Sequence, residues 1–211
     1  MDRGGDIAAI GAVARQRFDD KHAARETTIA CSRRAIQCCA ASIRATHRGE
    51  YDAAEELAAE AASHLTQADM ATEYAPEVRS TGPLYDAKKE YVEARLTLAF
   101  VRDDQLPGID ELGVDVAAYL NGMAEAASEL RRQILDCLRH DRLDRAEQLM
   151  SVMDDVYSVL VTIDYPDGVT GGLRRTTDAL RAVLERTRGD LTTTIVAARL
   201  QAAIDRDHAN R

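Results

Sequence analysis

Ile29, Ile36 and Ile43 stand seven residues apart in a stretch that runs from about Asp6 to Arg48 without a proline. Side chains repeating every seven residues fall on one stripe of an α-helix, and such a stripe needs a second helix to cover it. The spacing therefore predicts a long first helix whose seam packs in a bundle. Gly49 follows as a natural C-terminal stop.

Nothing later in the chain competes with that reading. Ala, Leu, Arg and Glu dominate, aromatic residues make up 4 %, Trp is absent and Pro occurs four times. Such usage favours helix strongly, and no alternating Val/Ile/Thr run is long enough for a strand. The expected fold class is all-α. Further helices are predicted over 52–68, from Pro76 or Pro83 to about Arg102, and over 114–140, 143–163, 173–189 and 190–208. "DDQLPGIDELG" (103–113) and "DYPDGVTGG" (164–172) read as turns, and Gly189 as the break between the last two helices. "YDAAEEL" (51–57) is echoed by "LDRAEQL" (143–149), which marks two similar helix starts and not a repeat array. With 211 residues and no long linker, the chain is expected to form a single bundle of about seven helices over residues 1–211.

The formal net charge is −9, with Lys only at positions 21, 88 and 89 and Arg elsewhere. An acidic, Lys-poor surface stays hydrated in a salt-rich cytoplasm. Net acidity weighs against a nucleic-acid partner, although binding depends on a local basic patch and not on the total. Cys31, Cys38, Cys39 and Cys137 form no CxxC pair and no metal-ligand spacing with His, so they read as thiols of a reducing compartment. Cys38 and Cys39 leave a helix in different directions. The N-terminus lacks the apolar stretch of a signal peptide, and no window approaches the roughly 20 apolar residues of a membrane span. A cytoplasmic location follows as the expectation.

Two acidic pairs stand out against this background. "DAKKEYVEARLTLAFV" (86–101) places Glu90 and Glu93 on one helix face, amid Tyr91, Val92, Leu96, Leu98 and Phe100. "YLNGMAEAASELRRQIL" (119–135) places Glu125 and Glu129 on one face, amid Leu120, Met123 and Leu130. Joined by a short turn, the two helices should pack antiparallel and can bring the pairs face to face. Converging carboxylates repel unless a cation neutralises them, and Mg²⁺ or Mn²⁺ takes such oxygen ligands. The Glu-x-x-His spacing of di-iron bundles is missing; Glu60 and His64 come nearest, four apart. The alternative is ion pairing on a solvated surface, with Lys89 for Glu90 and Arg131 or Arg132 for Glu125 and Glu129.

These segments resemble the translin family, which includes translin and its partner Trax. "KKEYVEA" (88–94) is similar to the Trax-type "EYVEA" text, and "VDVAAYLNGMAEAASELRRQIL" (114–135) to the family helix ending "DYLxGVxxxxxEL". "SRRAIQCCAASIRATHRG" (32–49) ends in "HR" as the family's "LLHR" does. The resemblance implies an all-α subunit of about seven helices that assembles into closed octamers and binds single-stranded RNA or DNA. For Trax-type subunits it implies a metal-dependent endoribonuclease. Carried over by position, the catalytic and metal-binding acids become Glu90, Glu93, Glu125 and Glu129, with Glu125 in place of the family's Asp. Translin itself has apolar residues where Glu90, Glu93 and Glu125 stand, so the resemblance favours the catalytic type. A non-catalytic single-stranded RNA- or DNA-binding oligomer is the alternative.

Two stripes of basic residues are candidates for phosphate contacts. Arg33 and Arg44 are three helical turns apart on one face, with His47 and Arg48 one turn further on. Arg174, Arg181 and Arg188 repeat every seven residues near the C-terminus. The first stripe equally fits a solvated face paired with nearby acids; for the second, the resemblance implies subunit contacts in the C-terminal region, so a structural role fits at least as well. No His or Lys stands at an evident general-base position, which leaves that role to a glutamate or to the cation. Apolar faces at 53–62 and 191–204 exceed what one bundle needs and point to a homo-oligomer.

Overall fold

The computed structural model describes residues 3–73, 75–79 and 82–209, and all regular structure among them is helical. Six long helices are α1 (Arg3–Arg48), α2 (Tyr51–Ala71), α4 (Gly82–Arg102), α6 (Val116–Arg139), α7 (Leu143–Leu160) and α9 (Leu173–Ala209). Single helical turns, α3 (Pro76–Arg79), α5 (Ile109–Leu112) and α8 (Asp167–Thr170), interrupt the connections. Both echoed motifs begin helices, α2 at Tyr51 and α7 at Leu143. Each start lies two residues after a left-handed residue, Gly49 (φ 77°) or Asp141 (φ 55°), that turns the chain out of the preceding helix.

The break expected at Gly189 is absent, and α9 runs through it. A glycine inside a helix costs about 1 kcal/mol relative to alanine. Leu184 and Leu191, buried on either side of it, contribute about 1.5–3 kcal/mol each when fully covered, so packing overrides the local preference.

The seven-residue period of α1 is real, but its phase is shifted by one residue. Thr28, Ser32, Ala35, Cys39, Ser42 and Thr46 form the buried stripe, while Ile36 and Ile43 flank it, half-buried against the core. The facing stripe of α2 is Ala54, Ala58, Ala61, Leu65 and Ala68. Small residues on both helices let the backbones approach, and Ser42 Oγ donates to the carbonyl of Ala54 at 2.7 Å. Thr28 and Thr46 hydroxyls donate to carbonyls four residues back, which satisfies them without a partner helix.

Helix α4 packs on α1, α2 and α6, and α6 packs in turn on α7 and α9. One hydrophobic cluster draws buried side chains from all six long helices, among them Ala35, Leu65, Leu96, Leu130, Met153 and Leu184. Arg145 of α7 donates to the carbonyls of Phe100 (3.1 Å) and Val101 (2.9 Å), capping the end of α4. Asp115 caps α6 through the amide of Ala118 at 2.9 Å. No described helix is long and apolar enough to cross a membrane.

Candidate functional site

The site begins with a missing side chain. A Cβ at Gly122 of α6 would lie 2.6 Å from the Lys89 carbonyl oxygen and 2.7 Å from Val92 Cβ of α4. Only glycine permits this approach, and it occurs one turn before Glu125 and beside Glu90. The two acidic faces therefore meet across a narrow helix crossing.

Glu90, Glu93 and Glu125 each bring a carboxylate oxygen within 4.8 Å of the others. Burial first, and then the charges of Glu90, Glu125 and Glu129, push the Glu93 carboxyl up to about 8 against the opposing charge of Lys89. Glu90 is raised too, by burial first; Lys89 opposes the shift, and Glu125, Asp86 and Glu129 add to it. The Cys39 thiol is raised by burial and then by Glu90, so this cysteine faces the acids and stays protonated.

Two basic groups that spacing did not mark as part of the site enter it. Lys89 Nζ lies 2.6 Å from Glu125 Oε1 and 3.9 Å from Glu90 Oε1. Burial works to lower its pKa, but the hydrogen bond and charge of Glu125 outweigh that and leave it raised. The expected Lys89–Glu90 pairing is thus the longer of its two contacts. His47 does not lie on the exposed arginine stripe: its side chain is 2 % exposed, with Nε2 2.6 Å from Glu129 Oε2. The Gln133 amide nitrogen donates to His47 Nδ1 at 3.2 Å, which leaves the ring proton on Nε2, facing Glu129. Arg131, a candidate partner for Glu125 or Glu129, instead binds Asp190 (2.8 Å) and Thr187 (3.1 Å) of α9.

A polar brace fixes the crossing one turn away. Buried Asn121 donates to the carbonyls of Ala117 (2.9 Å) and Thr170 (2.8 Å) and to the Tyr85 hydroxyl (3.1 Å). Its oxygen accepts from Thr176 Oγ1 at 2.6 Å. The brace joins α4, α6, α8 and α9. Gly171, at φ 62°, leaves the room that the Tyr85 hydroxyl occupies.

The donor set fits a hard divalent cation. Carboxylate oxygens from two helices converge, and Glu125 Oε2 is buried without a hydrogen-bond partner. A carboxylate oxygen left so is costly unless a cation takes it. Outside the site, Arg33 and Arg44 are exposed on α1. Arg48 pairs with Glu50 at 2.5 Å. On α9, Arg174 pairs with Asp164 at 3.3 Å, Arg188 pairs with Asp154 and Glu185, and Arg181 is exposed.

Fold and site together define an all-α bundle protein with a half-buried carboxylate centre between two central helices. Comparisons with known proteins place it more closely. A structure of AfC3PO in complex with duplex RNA superposes with a TM-score of 0.82 at 33 % identity, covering 88 % of this chain and 96 % of that one. The crystal structure of AfC3PO alone gives the same TM-score and identity, covering 88 % and 97 %. The crystal structure of apo-NeC3PO gives 0.77 at 20 % identity, covering 87 % and 96 %, a likeness of fold. An uncharacterized protein of Methanocaldococcus jannaschii is 30 % identical over 190 residues, 89 % of this chain and 83 % of the relative. No family model matches the sequence. The chain belongs to the translin family, as a relative of the C3PO proteins, the complexes of translin and Trax.

Proposed function

We propose that the protein is a divalent-metal-dependent endoribonuclease of the Trax type that acts on RNA as a homo-oligomer. The observation that carries this reading is the convergence of Glu90, Glu93 and Glu125 around a buried, unpartnered carboxylate oxygen. Glu129, which stands outside that trio and is held by His47, is proposed as the fourth acid. In this reading the four glutamates hold Mg²⁺ or Mn²⁺. The ion supplies the Lewis acidity that activates water and stabilises charge on a phosphoryl group.

The chain's own residues prepare the site. Glu93 keeps a proton at neutral pH when no cation is near, which relieves repulsion in the resting site. His47 and Glu129, 2.6 Å apart, form a pair able to accept and pass on a proton. Lys89 engages Oε1 of Glu125 and leaves its Oε2, with Glu90 and Glu93, to the cation. Arg33, Arg44 and Arg48 are proposed as phosphate contacts ahead of Arg174, Arg181 and Arg188, since acids engage only Arg48 of the first set but two of the second.

A structure of AfC3PO holds duplex RNA, which supports RNA as the ligand; single-stranded RNA is the proposed substrate, with single-stranded DNA as a further ligand. Exposed apolar side chains support the oligomer: Ile7, Ile10 and Phe18 on α1, and Val196, Leu200 and Ile204 on α9. The alanine face at 53–62 does not, since Ala54, Ala58 and Ala61 are buried within the subunit. An octamer follows from the family resemblance. Light scattering that shows a stable 23.1 kDa species at micromolar concentration defeats this part of the reading.

The second reading is a non-catalytic RNA-binding oligomer, favoured by the Lys89–Glu125 contact, which neutralises part of the cluster without metal. Labelled single-stranded and duplex RNA, incubated with and without Mg²⁺, separates the two. The Glu90→Gln, Glu93→Gln variant should lose cleavage and keep its fold, while RNA binding persists or tightens because two charges that repel phosphate are gone. A variant that cuts as fast as the parent makes the acids structural.

A further inference from the structure

The sequence spacing of the cysteines and histidines excludes a metal site only within one helix. Across the α1–α2 seam, Cys38 meets Glu60 and His64, and one donor atom of each lies within 4.8 Å of the other two. Cys38 and Cys39 leave α1 on different sides as expected, Cys39 toward Glu90 and Cys38 toward Glu60. The alanine stripe of α2 makes this meeting possible, because Ala58 and Ala61 bring its backbone close enough for short side chains to reach across.

We propose that Cys38, Glu60 and His64 form a second cation site, of the zinc class, on the α1–α2 flank. His64 Nε2 stands 3.7 Å from Glu60 Oε1, too far for a hydrogen bond. Two ligands at about 2.1 Å on one tetrahedral ion stand roughly 3.4 Å apart, so this gap needs only a small adjustment. Nδ1 of the same ring is buried without a hydrogen-bond partner, so no protein group on that side holds the imidazole. Glu60 is exposed and can draw in to close the rest of the cluster.

The donor chemistry separates this site from the acidic centre. Thiolate and imidazole select borderline-soft ions such as Zn²⁺, whereas Glu90, Glu93 and Glu125 select hard ones. A thiol gives up its proton when it ligates a cation, so binding at Cys38 releases one proton to solvent. Three protein donors leave one tetrahedral position for water, and the bound ion ties α1 to α2.

Cobalt titration of the chelator-treated full chain tests the site. Co²⁺ should produce a thiolate-to-metal charge-transfer absorption at one equivalent, release one proton, and be displaced by Zn²⁺ but not by Mg²⁺. Cys38→Ser should abolish the absorption, and the Glu90→Gln, Glu93→Gln variant should retain it, which keeps this site distinguishable from the nuclease centre. Absence of the band, or its survival in Cys38→Ser through another cysteine, overturns the proposal. Glu60→Gln, on an exposed position, preserves the fold and should move the midpoint to higher cobalt; an unchanged midpoint removes Glu60 from the site and overturns the triad.

Discussion

The α1–α2 pair and the α4–α6 pair both bring helix backbones close through small residues, yet only the second carries carboxylates into the gap. Between α1 and α2 the seam is mostly alanine, serine and threonine, and the Thr28, Ser42 and Thr46 hydroxyls donate to nearby carbonyls. Between α4 and α6 the close point is Gly122, and Glu90, Glu93 and Glu125 follow it within a turn. The first interface has no carboxylate along its buried stripe; the titratable Cys38, Glu60 and His64 stand on its flank. The second is stable only when protons, Lys89 or a cation offset its charge. A fold that needed only packing could have used the first solution twice.

Proton linkage should show the largest difference. Glu93 sits at about 8 in the folded chain because it is buried among acids, against an unfolded value near 4.3. Between those values the folded state holds the extra proton, so stability is greatest below the unfolded value and falls as pH rises through 8. The loss amounts to up to about 5 kcal/mol. Chemical denaturation in chelator from pH 5 to 8.5 should show it. Glu93→Gln should flatten the slope and make the variant the more stable protein at high pH, and Mg²⁺ should restore the parent there. A parent whose stability is level across that range has no such strain at α4–α6.

Packing should come next. Gly122→Ala places a methyl against the Lys89 carbonyl and Val92, which belong to a rigid helix. The better helix propensity of alanine returns about 1 kcal/mol, so a net loss of about 1–2 kcal/mol in thermal unfolding is expected. Gly189→Ala meets nothing within 4 Å and should gain about 0.5–1 kcal/mol. Equal effects at the two glycines contradict the close crossing.

What the sequence displayed of this comparison depended on distance along the chain. Helical periodicity exposed the acid pairs, because three- and four-residue spacings lie within one helix. The same periodicity found the seam of α1 but drew attention to its isoleucines, whereas close packing selected the smaller neighbours Ala35, Cys39 and Ser42. His47 lies 82 residues from Glu129, and nothing local in "RATHRG" separates a buried ligand of a carboxylate from one more basic residue of a stripe. Cys38 is hidden from His64 for the same reason. Gly122 did carry a signal, since a glycine amid strong helix formers is either a break or a close contact, and an unbroken pattern on both sides favours the contact.

Lys89 tests the charge balance at smaller scale. Its ammonium and a divalent ion compete for the same carboxylates, so Lys89→Gln should lower the Mg²⁺ concentration at half-saturation on the order of tenfold, what one charge a few ångströms away is worth at partial burial. Isothermal titration in the absence of RNA reads this directly. Weaker Mg²⁺ binding in the variant assigns Lys89 to holding Glu125 in place instead.

The outer face of α1 should show the smallest effect, and it sharpens the contrast between charges held inside and charges offered to solvent. Arg44 is exposed, and Arg48 is tied to the equally exposed Glu50, a pair worth little in water. Replacing both by alanine removes no buried contact, so the unfolding midpoint should stay where it is. If both residues touch phosphates, RNA binding should weaken and its dependence on log salt should flatten by up to about two units of slope. Cleavage at saturating RNA should remain, because the carboxylates and their cation are untouched. A salt slope equal to the parent's leaves these arginines to solvation alone and moves the phosphate track to other basic residues, with the exposed Arg181 of α9 the next to replace.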